Sequence, residues 1–395
     1  MTSCGQPRSE SQGRQVGTKV VFETATLIEA VRRAASLAPT KGAAFDKAAG
    51  IMVEVLAGEG DVLFRATDDV TQMTHWVKPS SIDASALETV WRLPSGPFAG
   101  VVAKLRPTGQ VLLEQDGTGL NLTSGRTKAR LQLMDSKSYP RWDVFDEEDL
   151  VPVENIGTAI RAVQWAAGDS SLGALDGVHL DGEYAVATNR YRVCRYPVQV
   201  PGIKEDGITV APQSAKAISE MKGEVKFGTD GHQAFFMPDD DTQIRATVYG
   251  ERFMTPKMVY GIEYSDKIHL QAPDFVRMID LTDQITSGDR STPSLRFYIG
   301  KQQIAVLAAN DEVGQVRDIL DIPGQAKHDH RVEIKVSPVE LAKALQGGEG
   351  HNVTMNYNSA LQYTGLGSGS KERLARVLRF DKDGGYQAWV LPATG

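Results

Sequence analysis

A threefold internal repeat constrains this chain more than any other feature. The segments FRATDDVTQMTHWV from Phe64, AVATNRYRVCRYPV from Ala185 and VLAANDEVGQVRDIL from Val306 share one layout. An apolar, strand-like entry meets an Ala-Thr-Asp, Ala-Thr-Asn or Ala-Asn-Asp corner, and a second strand-like run follows. The corner alanines, Ala66, Ala187 and Ala309, stand 121 and 122 residues apart. Strand-to-helix turns carrying proline recur in phase at LPSGPFAGVVAKL (Pro94), VAPQSAKAISEM (Pro212) and VSPVELAKAL (Pro338). Proline suits the first turn of a helix, where its missing N–H costs nothing. A further helix opens each third: TATLIEAVRRAASLA, VENIGTAIRAVQWAA and APDFVRMIDLTDQI. In the first of these, Leu27, Val31, Ala34 and Ala35 recur at helical spacing. Between the helices lie alternating runs such as GIMVEVLAG, QVLLEQD and KARLQLM, which read as short strands joined by Gly, Asp and Asn turns. Each third thus reads strand, helix, strands, twice over, and the whole is a three-domain α+β chain. The expected divisions are a disordered tail at 1–17 and domains at 18–148, 149–262 and 263–395, with links near 145–152 and 259–267.

The 395 residues exceed one ordinary core. Hydrophobic and charged contents of 41% and 24% are those of a soluble globular protein. No apolar run reaches the length of a membrane span, and the polar start, MTSCGQPRSESQGRQVGT, lacks the apolar stretch of a signal peptide. Cys4 and Cys194 are too few for a disulfide framework, which points to the cytoplasm. A net charge of −7 argues against a simple basic nucleic-acid binder but allows a locally basic surface on an acidic protein. LPATG, Leu391 to Gly395, matches a cell-wall sorting pentapeptide but lacks the apolar segment and basic tail that signal requires.

Catalytic and metal-binding patterns are missing. Of seven histidines only His328 and His330, in KHDHR, stand close together, and they read as solvated loop residues. GLGSGSK (365–371) fails the phosphate-loop spacing, with Glu372 where a magnesium-binding hydroxyl belongs, and reads as a hairpin loop. The acidic runs at 146–149 and 238–241 read as solvated turns. Arg195 beside Cys194 would favour a thiolate, yet the strand-like run puts Cys194 in the core. No metal, cofactor or catalytic residue is expected.

Several segments, in order, resemble the bacterial DNA polymerase sliding clamp, the beta subunit of the polymerase III holoenzyme. They are LIEAVRRAASLAP, LPSGPFAGVVAKL and LTSGRTKARLQLMDSKSYPRW in the first third; LDGVHL, VATNRYRV, APQSAKAISEMKG and IRATVYGERFMTPKMV in the second; and LRFYIGKQQIAVLAANDEVGQVRDIL, VSPVELAKAL and AWVLP in the third. The resemblance covers roughly residues 18–395. It implies three similar domains of the DNA-clamp type, each with two helices and two antiparallel sheets. Two chains would close head to tail into a ring around duplex DNA, with the helices lining the hole. The implied function is that of a non-catalytic processivity factor. Its partners would be double-stranded DNA contacted without regard to sequence, the replicative polymerase, the clamp loader, other proteins bearing short clamp-binding peptides, and a second copy of itself. No membrane partner is implied. A clamp-like scaffold or inhibitor that does not encircle DNA is the alternative.

Carried over position by position, the resemblance implies a partner-peptide pocket at Leu175, Thr188, Arg190, Tyr191, Arg192 and Val193, with Met254, Met258 and Val259 as a second wall. Val390, Leu391 and Pro392 form the C-terminal wall, with Leu361 nearby. Met and Leu suit a pocket that adapts to several peptides, and Arg190, Tyr191 and Arg192 read as its basic, aromatic rim. The implied DNA-facing residues are Arg32, Arg33, Lys104, Arg106, Arg161, Lys216, Lys222, Arg277 and Lys343. The six predicted helices sum to +2 in a chain of −7, the sign that phosphate contact requires. The third-domain helix, with Asp274, Asp280 and Asp283, runs against that pattern. Ring closure is expected to pair Thr127 to Leu131 with Leu281 to Ile285. The chain also departs from the family. Asn189, Arg190 and Tyr191 replace Asp, Gly and His of the family's Ala-Thr-Asp-Gly-His-Arg-Leu. The end is Leu391-Pro392-Ala393-Thr394-Gly395 rather than Met-Pro, a hydrophobe, Arg and Leu. These departures imply altered peptide preference and a specialised copy, phage-encoded in one reading and working in the host cytoplasm.

Overall fold

Each helix forms around an apolar stripe. Helix α1 (Thr24–Leu37) buries Leu27, Ala30, Val31 and Ala34, at spacings of three and four that put them on one face. The others are α2 (Ser95–Val102), α3 (Ile156–Val163), α4 (Pro212–Ser219), the single turn α5 (Lys257–Tyr260), α6 (Ala272–Thr286) and α7 (Pro338–Gln346). Pro212 and Pro338 occupy the first turns of α4 and α7, as expected. Pro94 does not; it is the cap residue before α2, in an extended conformation. Ser337 caps α7, its hydroxyl accepting the Glu340 N–H at 3.5 Å.

The computed structural model describes residues 17–39, 47–84, 88–168, 172–204, 206–286, 295–310, 314–328, 332–359 and 376–392. They fall into two compact units. One runs to Val144 and takes in Asp241–Gln243; the other holds Phe145–Asp240 and the chain from Ile244 onward.

In the first unit an antiparallel sheet runs Ser81–Asp83, Lys19–Glu23, Gln110–Asp116, Gly119–Ser124 and Thr127–Gln132 in spatial order. A second set pairs Thr71–Val77, Asp61–Thr67, Ile51–Leu56 and Glu88–Leu93. Helices α1 and α2 pack on each other, and α1 lies against the strands Asp61–Thr67 and Thr71–Val77. Phe22 and Phe64, both fully buried, meet edge to face at 6.0 Å in this core.

The second unit is organised by an eight-stranded antiparallel sheet that joins the second and third repeats. Its spatial order is Ile208–Val210, Val178–Leu180, Tyr184–Thr188, Arg192–Pro197, Gln387–Val390, Leu378–Asp381, Asn352–Tyr357 and Asp266–Gln271. The joint is Arg192–Pro197, which pairs with Tyr184–Thr188 on one side and Gln387–Val390 on the other, Arg192 opposite Val390 and Cys194 opposite Ala388. The 259–267 stretch therefore lies inside this unit. A four-stranded sheet, Gly314–Asp321, Gln303–Asn310, Leu295–Ile299 and Val332–Val336, belongs to the third repeat. Helices pair again, α3 with α4 and α6 with α7. The first of these pairs is close enough that a Cβ at Gly157 would stand 2.3 Å from the Met221 carbonyl oxygen. The α+β class and two helices per repeat, read from the sequence, are the architecture observed.

Candidate functional site

Among the described residues the hairpin corner Thr188–Arg192 shares its device with two others, one in the first repeat and one elsewhere in the second. Thr188 Oγ1 donates to the Arg192 carbonyl at 2.7 Å, and Asn189 Oδ1 accepts from the amides of Tyr191 and Arg192, each at 3.0 Å. Thr67 and Asp68 make the same bonds to the Thr71 carbonyl and to the amides of Val70 and Thr71. Thr229 and Asp230 repeat them with Gln233 and His232. A short polar side chain thus replaces the partners that the turn's backbone lacks. The third residue of each corner is left-handed: Asp69 (φ 72°), Arg190 (φ 77°) and Gly231 (φ 90°). The Thr-Asn core is therefore architecture, and what sets this corner apart is its decoration.

That decoration splits into outside and inside. Arg190 is exposed and Tyr191 is 59% exposed. Arg192, expected at the rim, is buried. Its guanidinium donates to the Glu340 carboxylate in the first turn of α7 and to the Ala167 carbonyl at 3.0 Å, and lies 5.5 Å from the centre of the Trp165 ring. A carboxylate in the next repeat, 148 residues on, draws it inward, which a one-dimensional reading does not reveal. Leu391 fixes the corner from the C-terminal side by donating its amide to the Tyr191 carbonyl at 2.9 Å.

The segment 253–260 crosses the same region, pinned at two points. Phe253 stacks on His179 at 4.4 Å and packs with Leu175 and Val186. Burial holds the His179 ring down at a pKa of about 4, and its Nδ1 lies 3.0 Å from the Thr209 hydroxyl. Val259 packs with Val193, Val377 and Trp389, with Tyr260 and Leu391 against them. Arg195 locks this second point: its guanidinium lies 4.6 Å from the ring centres of both Tyr184 and Tyr260 and 5.4 Å from that of Trp389, while Nε donates to Gln387 at 2.7 Å. Between the pins, Met254 and Met258 are 66% and 68% exposed.

Of the expected pocket residues, Leu175, Thr188, Arg192, Val193, Val259 and Val390 are buried beneath the surface. Arg190, Tyr191, Met254 and Met258 stand out from it, and Leu391 and Pro392 are half-buried. Leu361 and the GLGSGSK segment lie outside the described residues. Phe253, Tyr260, Trp389, His179 and Arg195 support the site without having been singled out for it. Trp389 and Phe253 lie within the segments AWVLP and IRATVYGERFMTPKMV, but which loop they anchor depends on long-range packing.

The expected DNA-facing residues differ in how committed they are. Lys104, Arg106, Lys216, Lys222 and Lys343 are exposed and have no carboxylate within 4.0 Å among the described residues. Arg32 and Arg33 share Glu29, which their guanidinium groups, Arg32 foremost, hold down at a pKa of about 2. Arg161 donates to the Ser219 carbonyl at the end of α4, and Arg277 bridges to Asp318 at 3.0 Å. Thr127–Gln132 ends its sheet in the first unit, and Gly314–Asp321 ends its sheet in the second. The latter carries Ile319, 41% exposed, and packs on α6, which carries the equally exposed Leu281.

Among the described residues no three His, Cys, Asp or Glu side chains form a metal-holding group, and no helix is long and apolar enough to cross a membrane. Cys194 is buried, and burial pushes its thiol well above the usual range. His328, expected to be solvated, is instead 8% exposed with Nε2 2.8 Å from the Tyr357 hydroxyl. Its aromatic partner on the strand Asn352–Tyr357 brings it inside. His330 lies outside the described residues.

No protein-family model matches the sequence. Among solved structures, the chain is similar to the DNA polymerase III beta subunit of Thermotoga maritima, with 18% identity over 96% of this chain and 100% of that one and a TM-score of 0.80. The DNA polymerase sliding clamp of Bacillus subtilis superposes with a TM-score of 0.76 at 15% identity, over 96% of this chain and 100% of that one. The Helicobacter pylori beta clamp bound to a DNA ligase peptide does so with a TM-score of 0.73 at 14% identity, over 95% and 100% of the two chains. The chain has the sliding-clamp fold along nearly its whole length.

Proposed function

We propose that this chain is a processivity factor: a non-catalytic ring that encircles duplex DNA and tethers a replicative polymerase and other partners through short peptides. The observation that carries the reading is the exposure pattern. Among the described residues, the three most exposed large apolar side chains are Tyr191, Met254 and Met258. All three were expected at a docking pocket, and all three stand on backbone anchored from beneath. Exposed apolar groups held this way mark docking sites rather than packing defects. One of the similar clamps was solved with a DNA ligase peptide bound.

The domains proposed are 18–148, 149–262 and 263–395, with six helices facing the DNA. Lys104, Arg106, Lys216, Lys222 and Lys343 supply phosphate contacts that hold position without reading sequence. Ring closure is proposed to join the strand Thr127–Gln132 of one copy to Gly314–Asp321 of the other, with Leu281 and Ile319 covered in the process. An unpaired strand edge is a ready template for such pairing. Tethering raises the partner's effective concentration at the DNA without a new chemical step. The cytoplasm, of a bacterium or of a phage's host, is the proposed location.

The test is topological. The protein, loaded onto a nicked circular plasmid and washed at high salt, is expected to stay bound and to be released when the plasmid is cut to a linear form. A chain that remains monomeric and washes off the circle equally fast would instead be the scaffold or inhibitor that does not encircle DNA.

A further inference from the structure

We propose that Arg190 reads a carboxylate on the docking partner, so that the site selects apolar peptides flanked by acid. The inference rests on the docking reading above and goes further, to the chemistry of the peptide.

The left-handed position in the corner is the starting point. Asp69 and Gly231 fill it in the two sister corners. Glycine adopts that conformation freely, and aspartate is among the few residues that visit it readily. Arginine has no such local compensation, and the corner's own bonds are made by Thr188 and Asn189. The long cationic side chain is therefore no help to the turn. Its guanidinium makes no hydrogen bond or ion pair among the described residues.

The charge is nonetheless held on a rigid base. Leu391 fastens the corner at Tyr191, and Arg192 fastens it from beneath through Glu340. With the backbone already fixed, binding has only the side chain left to order. Its neighbour Tyr191 is exposed, and on the second wall Lys257, between Met254 and Met258 in sequence, is also exposed, its ammonium without a partner among the described residues. The acidic residues of these segments leave this balance in place: Glu251 accepts from the Ala174 amide at 3.3 Å, Asp206 is shared with Arg252 at 3.5 Å, and Glu263 is exposed. Two cations without partners among the described residues, close in sequence to three exposed apolar side chains, complement an acidic, apolar segment.

The carboxylate has two sources, an Asp or Glu side chain or the peptide's own C-terminus. An array of octapeptides separates them, with two large apolar residues at every spacing, flanks of Glu or Gln, and a free or amidated end. The full-length protein is expected to bind Glu-flanked members about fivefold more tightly than their Gln counterparts, the scale of an exposed ion pair, with the difference shrinking as salt is raised. Preference for free over amidated ends within the Gln series would assign the terminal carboxylate. Arg190→Gln is expected to bring the Glu and Gln series, and free and amidated ends, within about twofold of each other. Arg190→Gly is expected to lose the same preference while raising the unfolding midpoint, which separates charge from loss of fold. If the protein bound both series and both kinds of end equally, or if the acid preference survived Arg190→Gln, the inference would be overturned and the docking reading would stand. Failure to bind any member would overturn both.

Discussion

The Arg192 guanidinium donates to the Glu340 carboxylate, tying the hairpin of the second repeat to the first turn of α7 in the third. Their side chains are 9% and 18% exposed, so the pair is nearly dry. The negative charge sits where the α7 dipole favours it. Removing one member strands the other. Glu340→Ala is expected to cost about 3 kcal/mol, because Arg192 keeps only the Ala167 carbonyl and the Trp165 face. The paired change Arg192→Met with Glu340→Leu is expected to recover most of that loss. Denaturant unfolding of the four proteins gives the coupling directly; a coupling below about 0.5 kcal/mol would show that the two charges act independently.

Much of this architecture was legible because it is local and repeated. The corner alanines and the phased prolines announce three copies of one unit, since strand, turn and helix chemistry are set by neighbours in sequence. Tyr191, Met254 and Met258 stood out through resemblance and by their chemistry, being apolar residues among turn-forming and charged ones, and the structure leaves all three exposed. What escaped depends on distant partners. Arg192 looked like a rim residue because Glu340, 148 positions away, is invisible along the chain. His328 looked solvated because its partner Tyr357 lies on a strand 29 residues further along the chain. Pro94 misled by type: proline fits just before a helix as well as within its first turn.

Acid is expected to weaken the larger unit through His179. Burial lowers its pKa from the ordinary 6.5 to about 4, so between those values the unfolded chain takes up a proton that the folded one refuses. Stability supplied by the neutral ring is complete above about pH 6.5 and is lost as the pH falls towards 4, about 3 kcal/mol in all. Phe253 stacks on this ring, so the wall that carries Met254 should loosen first. His179→Phe keeps a flat ring and removes the titration. Its unfolding midpoint should fall less steeply than that of the unaltered protein between pH 7 and 4, whatever its offset from losing the Thr209 contact. Parallel slopes would assign the acid sensitivity to another group.

Met254 and Met258 separate docking from folding. Both side chains are about two-thirds exposed, so they contribute little to the core. The double change Met254→Ser with Met258→Ser is therefore expected to alter unfolding stability by less than about 0.5 kcal/mol each, as for ordinary surface positions. Peptide binding should respond differently. Each flexible thioether that an apolar anchor covers contributes buried area on association, and a truncated wall leaves part of that anchor in water. Loss of roughly 60 Å² of apolar contact at about 25 cal/mol per Å² corresponds to about 1.5 kcal/mol, or about tenfold in affinity. Fluorescence titration of the tightest-binding array peptide, alongside denaturant unfolding, reads both quantities. Unchanged affinity with unchanged stability would remove Met254 and Met258 from the docking surface. A large stability loss would instead make them structural, which their exposure argues against. The expected outcome, weakened binding on an intact fold, is what an exposed wall pinned by Phe253 and Val259 should give: the pins hold the shape, and the two methionines meet the partner.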